Sequence, residues 1–245
     1  MKIYQQILNN KNAGKKQLAV LVDPDKTQGD DLKRLGELAM NAGVDYFFAG
    51  GSLLTTGNIT DCVTGLKNAC DIPVVIFPGS VQQVTPEADA VLFLSLISGR
   101  NPDLLIGHQV TAAPIIKQFK LESISTGYIL IESGNHTAVQ YISNTIPIPA
   151  DRNDIAAYTA LAGEMLGMKL IFAEAGSGAL NPVSEAMIEK IRSEISIPLI
   201  TGGGIRTPEK AIANCKAGAD LIVVGNSIEK DKNLIQRMAD AVHGI

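Results

Sequence analysis

Phe172-Ala-Glu-Ala-Gly-Ser-Gly-Ala179, then Ile200-Thr-Gly-Gly-Gly-Ile-Arg206, then Val223-Val-Gly-Asn-Ser227: three times in the C-terminal half an apolar run gives way to a glycine-rich loop. Glycine lets a backbone approach an oxyanion closely and adopt positive φ, which turns N–H groups toward the anion. A phosphate is therefore the first ligand to consider. Among these glycines stands Glu174, a negative charge from which a phosphate site gains nothing. Its presence points to chemistry as well as binding.

Moving outward from these loops, eight short apolar runs can be marked: Gln17–Val22, Asp45–Ala49, Pro73–Phe77, Ala90–Leu96, Gly127–Ile131, Lys169–Ala173, Pro198–Thr201 and Asp220–Val224. Most are continuous rather than alternating, as expected of strands buried on both faces of a parallel sheet. Segments of helical period lie between most of them. Leu32, Leu35, Ala39 and Ala42 share one face, as do Ile188, Ile191 and Ile195. Asn101-Pro102, Asn181-Pro182 and Thr207-Pro208 read as helix starts, a cap residue followed by a proline at the first helical position. Strand–helix–strand units at this spacing form right-handed parallel crossovers, and eight of them close into a TIM-type (β/α)8 barrel. An open doubly wound sheet would more often place its glycine loop after the first strand, whereas here the glycines follow the sixth, seventh and eighth. One unit is irregular: Gly79 to Asp89, with Pro86, leaves no room for a full crossover helix. The third helix is expected to be missing or replaced by an extended segment. Asn144 to Asn153 reads as a loop leading into the fifth helix.

A chain of 245 residues fits one barrel domain over residues 1–245. The net charge of −4, spread along the chain, offers no basic stripe for nucleic acid, and with no Trp a base-stacking platform is not expected. The apolar runs are far shorter than the roughly 20 residues of a membrane span. Met1 to Lys16 lacks the order of a signal peptide, so a cytoplasmic protein is expected. Cys62, Cys70 and Cys215 lack metal-ligand spacing and read as buried reduced thiols. His108, His136 and His243 are isolated, and surface positions are expected for them.

In such a barrel the active site lies at the C-terminal strand ends, with phosphate held by the loops after strands seven and eight. Gly202, Gly203, Gly204, Gly225 and Asn226 occupy those loops. The first strand ends in Val22-Asp23-Pro24-Asp25-Lys26, whose carboxylates are hard oxygen ligands suited to a Mg²⁺ shared with a diphosphate. An Asp-Pro turn is the alternative. Lys26 reads as a phosphate partner or a solvated lysine. Ser52, after the second strand, could reach a metal or its water. The stretch Ser95-Leu-Ile-Ser-Gly-Arg-Asn101 is less polar and could border an apolar groove. Strand alternation puts Leu170, Phe172 and Glu174 on one face, so Glu174 projects into the barrel mouth, where it suits a general base.

Taken together, Leu21-Val-Asp-Pro-Asp-Lys26, Gly50-Gly-Ser52, Phe77-Pro-Gly79, Phe172-Ala-Glu-Ala-Gly-Ser-Gly-Ala179, Gly202-Gly-Gly-Ile205 and Val224-Gly-Asn226 resemble the geranylgeranylglyceryl phosphate synthases, of the group II type related to the heptaprenylglyceryl phosphate synthases. The match spans nearly the whole chain. The resemblance implies a Mg²⁺-dependent prenyltransferase of ether-lipid biosynthesis that joins the C3 hydroxyl of sn-glycerol 1-phosphate to C1 of geranylgeranyl diphosphate. By position, Asp23 and Ser52 would be the metal ligands and Glu174 the catalytic base. Phe172, Ala173, Glu174, Ala175, Gly176, Ser177, Gly178, Gly203, Gly204, Gly225 and Asn226 would hold glycerol phosphate. The family commonly carries tyrosine where this chain has Phe172, which removes a hydroxyl contact that a water could replace. The heptaprenyl relatives tend to carry a lysine just before the metal aspartate, where this chain has Leu21 and Val22, and this favours the geranylgeranyl-type group. The resemblance further implies a homo-oligomer, a dimer or hexamer, that meets the membrane surface only through its lipid substrate and product. Two other readings stand beside it: a phosphosugar isomerase or epimerase of the same barrel, and a non-catalytic phosphate-binding protein.

Overall fold

The structure, a computed structural model, describes residues 2–245. The one-domain expectation over residues 1–245 includes Met1, which lies outside the described residues. In chain order the elements are α1 (Ile3–Asn12), β1 (Gln17–Val22), α2 (Asp30–Ala42), β2 (Tyr46–Ala49), α3 (Ile59–Ala69) and β3 (Val74–Ile76). A 3₁₀ turn (Val81–Gln83) leads to β4 (Ala90–Leu96), and a π-helical turn (Asp103–Gly107) runs into α4 (His108–Phe119). Then come β5 (Glu122–Leu130), α5 (Ala138–Ser143), α6 (Asn153–Met165), β6 (Leu170–Glu174), α7 (Glu185–Glu194) and β7 (Leu199–Gly202). The chain ends with α8 (Pro208–Lys216), β8 (Leu221–Val224), α9 (Asn226–Lys230) and α10 (Leu234–His243).

The strands pair in parallel in sequence order, and β8 returns to β1 to close the barrel. The expected TIM-type fold is therefore present, and its third crossover is reduced to the 3₁₀ turn. Alternation sorts side chains into two apolar layers. Tyr46, Phe48, Leu92, Tyr128, Phe172 and Ile200 fill the interior, while Phe47, Ile129, Ile171 and Ile222 face the helices. Burying an aromatic such as Phe172 completely stabilises the fold by about 2–3 kcal/mol.

The lower end of the barrel is closed by α1, whose Ile3 and Ile7 enter the interior layer. Its free N-terminal amides, on Ile3 and Tyr4, donate to the Glu122 carboxylate at 2.7 and 3.1 Å. That contact explains a strand start the apolar pattern misses: β5 begins at Glu122 rather than Gly127, because its polar first turn seats α1.

Two of the three proline-marked helix starts hold in part or whole. Thr207 caps α8 by accepting from Lys210 N, and Asn101 Oδ1 accepts from Asp103 N, although the turn that follows is π-helical. Asn181-Pro182 does not start a helix. Ser184 caps α7 instead, accepting from Met187 N, while Asn181 N donates to Ser133 O across the barrel top. The loop expected from Asn144 to Asn153 is present, and Ile148 within it bridges to Ile131. Among the described residues, no helix is long and apolar enough to cross a membrane.

Candidate active site

The three glycine loops meet at the upper end of the barrel. Gly203 has φ +77°, and a Cβ there would lie 2.7 Å from Gly176 N and 2.9 Å from Ala175 N. Glycine is thus what lets the loops after β6 and β7 touch backbone to backbone. Ser177 Oγ donates to Asn226 Oδ1 at 3.2 Å, which joins the β6 loop to the start of α9. Gly178 and Gly204 also have positive φ, and Gly225 precedes α9. Arg206 pins the β6 loop by donating to Leu180 O at 2.9 Å and to Ala179 O. Ala173 and Ala175 turn their side chains to the outer apolar layer; Ala173 lies in the β5–β6–β7 ladders and Ala175 N donates to Gly202 O at 3.2 Å, so both serve to hold the loop. The loops that carry Gly176, Ser177, Gly178, Gly203, Gly204, Gly225 and Asn226 are thus brought side by side.

Phe172 faces inward, fully buried, and lies beneath this cup rather than lining it. Its ring stacks on Phe77 at 5.2 Å and meets Tyr128 edge-on at 5.7 Å, while Gly202 leaves space for it above.

Glu174 is the next inward residue along β6 and is 5 % exposed. Among the described residues it pairs with no lysine or arginine; Tyr128 Oη donates to its Oε2 at 2.8 Å. Burial pushes its carboxyl up to about 7, and the Tyr128 hydrogen bond pulls the other way. A carboxylate that titrates near neutrality in a cleft is matched to proton transfer. Tyr128 is a positioning residue that sequence reasoning missed. The signal was there in the parity of β5, where Ile124, Tyr128 and Leu130 share the inward face, and Tyr128 pairs in register with Phe172. Tyr128→Phe is expected to move the rising limb of the pH–rate profile to higher pH, because the ionised form of Glu174 loses its donor. Rates measured from pH 5.5 to 9 check this, and an unmoved limb refutes it.

Across the barrel mouth, Asp23 and Ser52 line the same cavity as Glu174. Gly51 places its backbone against Asp23, where a Cβ would sit 3.6 Å from Oδ1. Gln83, from the 3₁₀ turn, accepts from Gly51 N and Gly79 N at 3.2 Å and donates to Gly51 O at 2.8 Å, fixing the loop that carries Ser52. Asp25 has a different task. Its carboxylate accepts from Thr55 N, Thr56 N and Gly57 N, and these bonds hold it well below the usual carboxylate range. It clamps the β2–α3 loop. Lys26 Nζ lies 3.1 Å from Asp23 Oδ2 and 3.3 Å from Glu229 Oε2 of α9. Among the described residues, no group of three or more His, Cys, Asp or Glu side chains could enclose a metal. Asp23 with Ser52 instead suits Mg²⁺, which commonly takes one or two carboxylates and completes its shell with water and substrate phosphate.

One cavity of about 390 Å³ connects Asp23, Ser52 and Glu174 and meets the glycine loops at Ser177 and Asn226. At its polar end are Asp23, Glu174, Ser177 and Asn226; at the other are Leu94, Leu104, Ala112 and Ile116. The apolar arm runs where a third crossover helix would have packed, between β3, β4 and α4. His108 is exposed, as expected, and also borders the cavity, because the π-helical turn carries the start of α4 to the cavity rim. His136 lies elsewhere, 3.3 Å from Gln140 Oε1. Gln109 staples the arm by donating to Leu94 O and Leu104 O. All three cysteines are buried and unpaired, as expected, and burial pushes the Cys62 thiol up to about 12.

Residues 11–244 match the model of the PcrB family. The chain is 57 % identical over 242 residues to the geranylgeranylglyceryl phosphate synthase of Chitinophaga pinensis, covering 99 % of this chain and 96 % of that one. The (S)-3-O-geranylgeranylglyceryl phosphate synthase of Thermoplasma acidophilum, solved in complex with its substrate sn-glycerol-1-phosphate, superposes with a TM-score of 0.92 at 31 % identity, over 100 % of both chains. The geranylgeranylglyceryl phosphate synthase of Thermoplasma volcanium gives 0.91 at 33 % identity, over 100 % of this chain and 99 % of that one.

Proposed function

The chain belongs to the PcrB family, and from that footing we propose that it is an enzyme that joins the C3 hydroxyl of sn-glycerol 1-phosphate to C1 of geranylgeranyl diphosphate. The observation that carries this reading is the single cavity with two unlike ends: an anion cup with a buried carboxylate, and an apolar arm. A phosphosugar isomerase has no use for the arm. A protein that only bound phosphate would have none for a buried Glu174 held by Tyr128.

In the proposed reaction the acceptor phosphate sits on backbone N–H groups of the loops after β6, β7 and β8, with Ser177 and Asn226 beside it. This orients the C3 hydroxyl toward Glu174. The bond between C1 and the diphosphate oxygen breaks as the C3 oxygen bonds to C1, and Glu174 takes the hydroxyl proton. Asp23 and Ser52 would hold Mg²⁺, which when bound neutralises the charge that builds on the diphosphate leaving group. Phe77, Leu92 and Leu94 line the cavity beyond Glu174 and keep water from the allylic carbon.

Mass spectrometry of products from a mixture of prenyl diphosphates of different lengths, offered with glycerol 1-phosphate or glycerol 3-phosphate, tests this directly. The expected product is the C20 ether of glycerol 1-phosphate, formed with Mg²⁺ and lost on chelation. Turnover of a phosphosugar without prenyl diphosphate, or no ether under any condition, would overturn the reading.

A further inference from the structure

Lys26 and Glu229 are absorbed by neither half of the proposed reaction, yet both line the cavity. Lys26 Nζ sits between two carboxylates from opposite ends of the chain, Asp23 after β1 and Glu229 on α9, with both oxygens within 3.3 Å. The lysine side chain is 47 % exposed and the carboxylates only 21 % and 20 %, so the charges being balanced are more sheltered than the cation that balances them. Left alone, two facing carboxylates would repel each other and any approaching diphosphate. An ammonium on a flexible four-carbon stem is a point charge that satisfies both without fixed geometry, and it can leave by rotating its own side chain. Guanidinium would hold a carboxylate in a rigid fork. Glu229 lies one turn after Asn226 on the same short helix, so the cup for the acceptor and the second carboxylate ride on one element.

We infer that Lys26 is a placeholder cation: it occupies the Asp23–Glu229 pair in the free enzyme and passes to the diphosphate when the divalent ion takes Asp23. Glu229 is then a positioning residue, which holds Lys26 in the free state. This rests on the prenyl-transfer reading of the same site. It predicts that the free enzyme binds Mg²⁺ poorly and that metal and diphosphate bind as a pair.

The test is calorimetric titration of Mg²⁺ into the enzyme without substrates, followed by titration of inorganic pyrophosphate in the presence of Mg²⁺. Lys26→Met is expected to tighten Mg²⁺ binding to the free enzyme about tenfold, because two close carboxylates are left without their counter-charge. The same variant should weaken pyrophosphate binding about tenfold, through loss of one charge-assisted contact. Adding Glu229→Gln to Lys26→Met should return Mg²⁺ affinity toward that of the wild type. Lys26→Gln, which keeps a donor but no charge, serves as the second variant and should behave as Lys26→Met. Unchanged or weaker Mg²⁺ binding in both variants, or unchanged pyrophosphate binding, overturns the inference. Wild-type prenyl transfer, measured alongside, separates the two ideas: its absence sinks the functional reading, whereas normal transfer with unmoved Mg²⁺ affinities sinks only the role of Lys26.

Discussion

Glu174→Gln is expected to stop catalysis while making the protein more stable at alkaline pH. Proton transfer by a placed carboxylate contributes 10²–10⁴ in rate, so a fall in kcat of about a thousandfold is anticipated, with the KM for glycerol phosphate nearly unchanged. The stability effect has its own sign. Burial raises the folded-state carboxyl to about 7, above its value in the unfolded chain. The folded protein therefore holds this proton more tightly, and the stability this group contributes is full below about pH 4 and lost as pH rises through about 7. A shift of this size corresponds to an order of 3 kcal/mol. Glutamine buries no charge, so the variant should melt later than the wild type at pH 8.5 and no later at pH 4.5. Wild-type activity should rise across the same interval in which wild-type stability falls. A kcat within tenfold of the wild type, or equal melting at pH 8.5, would count against the role given to Glu174.

The second large effect belongs to Gly203→Ala. The methyl would meet backbone nitrogens of Gly176 and Ala175 at 2.7 and 2.9 Å, which no side-chain rotation can relieve. The loops after β6 and β7 must separate, and with them the two walls of the anion cup. A loss of about 2–4 kcal/mol in stability is expected, from positive φ together with the clash. The KM for glycerol phosphate should rise about thirtyfold, since several oriented N–H groups lose their common focus, while the KM for prenyl diphosphate moves little. Gly167→Ala is the control: Gly167 also has positive φ, at +87°, but nothing lies within 4 Å of a Cβ there. It should cost about 1 kcal/mol and leave both KM values alone. Equal effects of the two variants on the glycerol phosphate KM would remove the cup from the account.

Much of the barrel was legible because burial on both faces writes continuous apolar runs. β1 and β4 match those runs from first residue to last. What was illegible lies where polar residues serve distant partners. The start of β5 is polar because Glu122 caps α1, and α1 itself shows only Ile3 and Ile7 to the interior, too few to announce a helix. Asn181-Pro182 looked like a helix start because local cap chemistry cannot reveal a loop held across the barrel by Ser133. In the site, the glycines and the inward parity of Glu174 were readable from strand alternation alone. Tyr128 and Glu229 were not, since each matters only through a residue brought beside it by register or closure: Tyr128 through the β5–β6 ladder, Glu229 through the return of β8 to β1. Asp25 resembled a metal ligand in sequence and became a loop clamp once Thr55, Thr56 and Gly57 stood over it.

The β3–β4 seam, where the third crossover helix is lacking, is joined by the short ladder Val75↔Ala90 and Ile76↔Val91, while the β4–β5 ladder extends from Ala90↔Glu122 to Leu96↔Tyr128. Val75, Ile76, Ala90 and Val91 are all buried, so packing holds the seam shut where ladder bonds are few. The ring stays closed, and what the lacking helix leaves behind is space on its outer face, set beside the apolar arm. Room for an apolar occupant is here made by leaving an element out, with the strands on either side still paired.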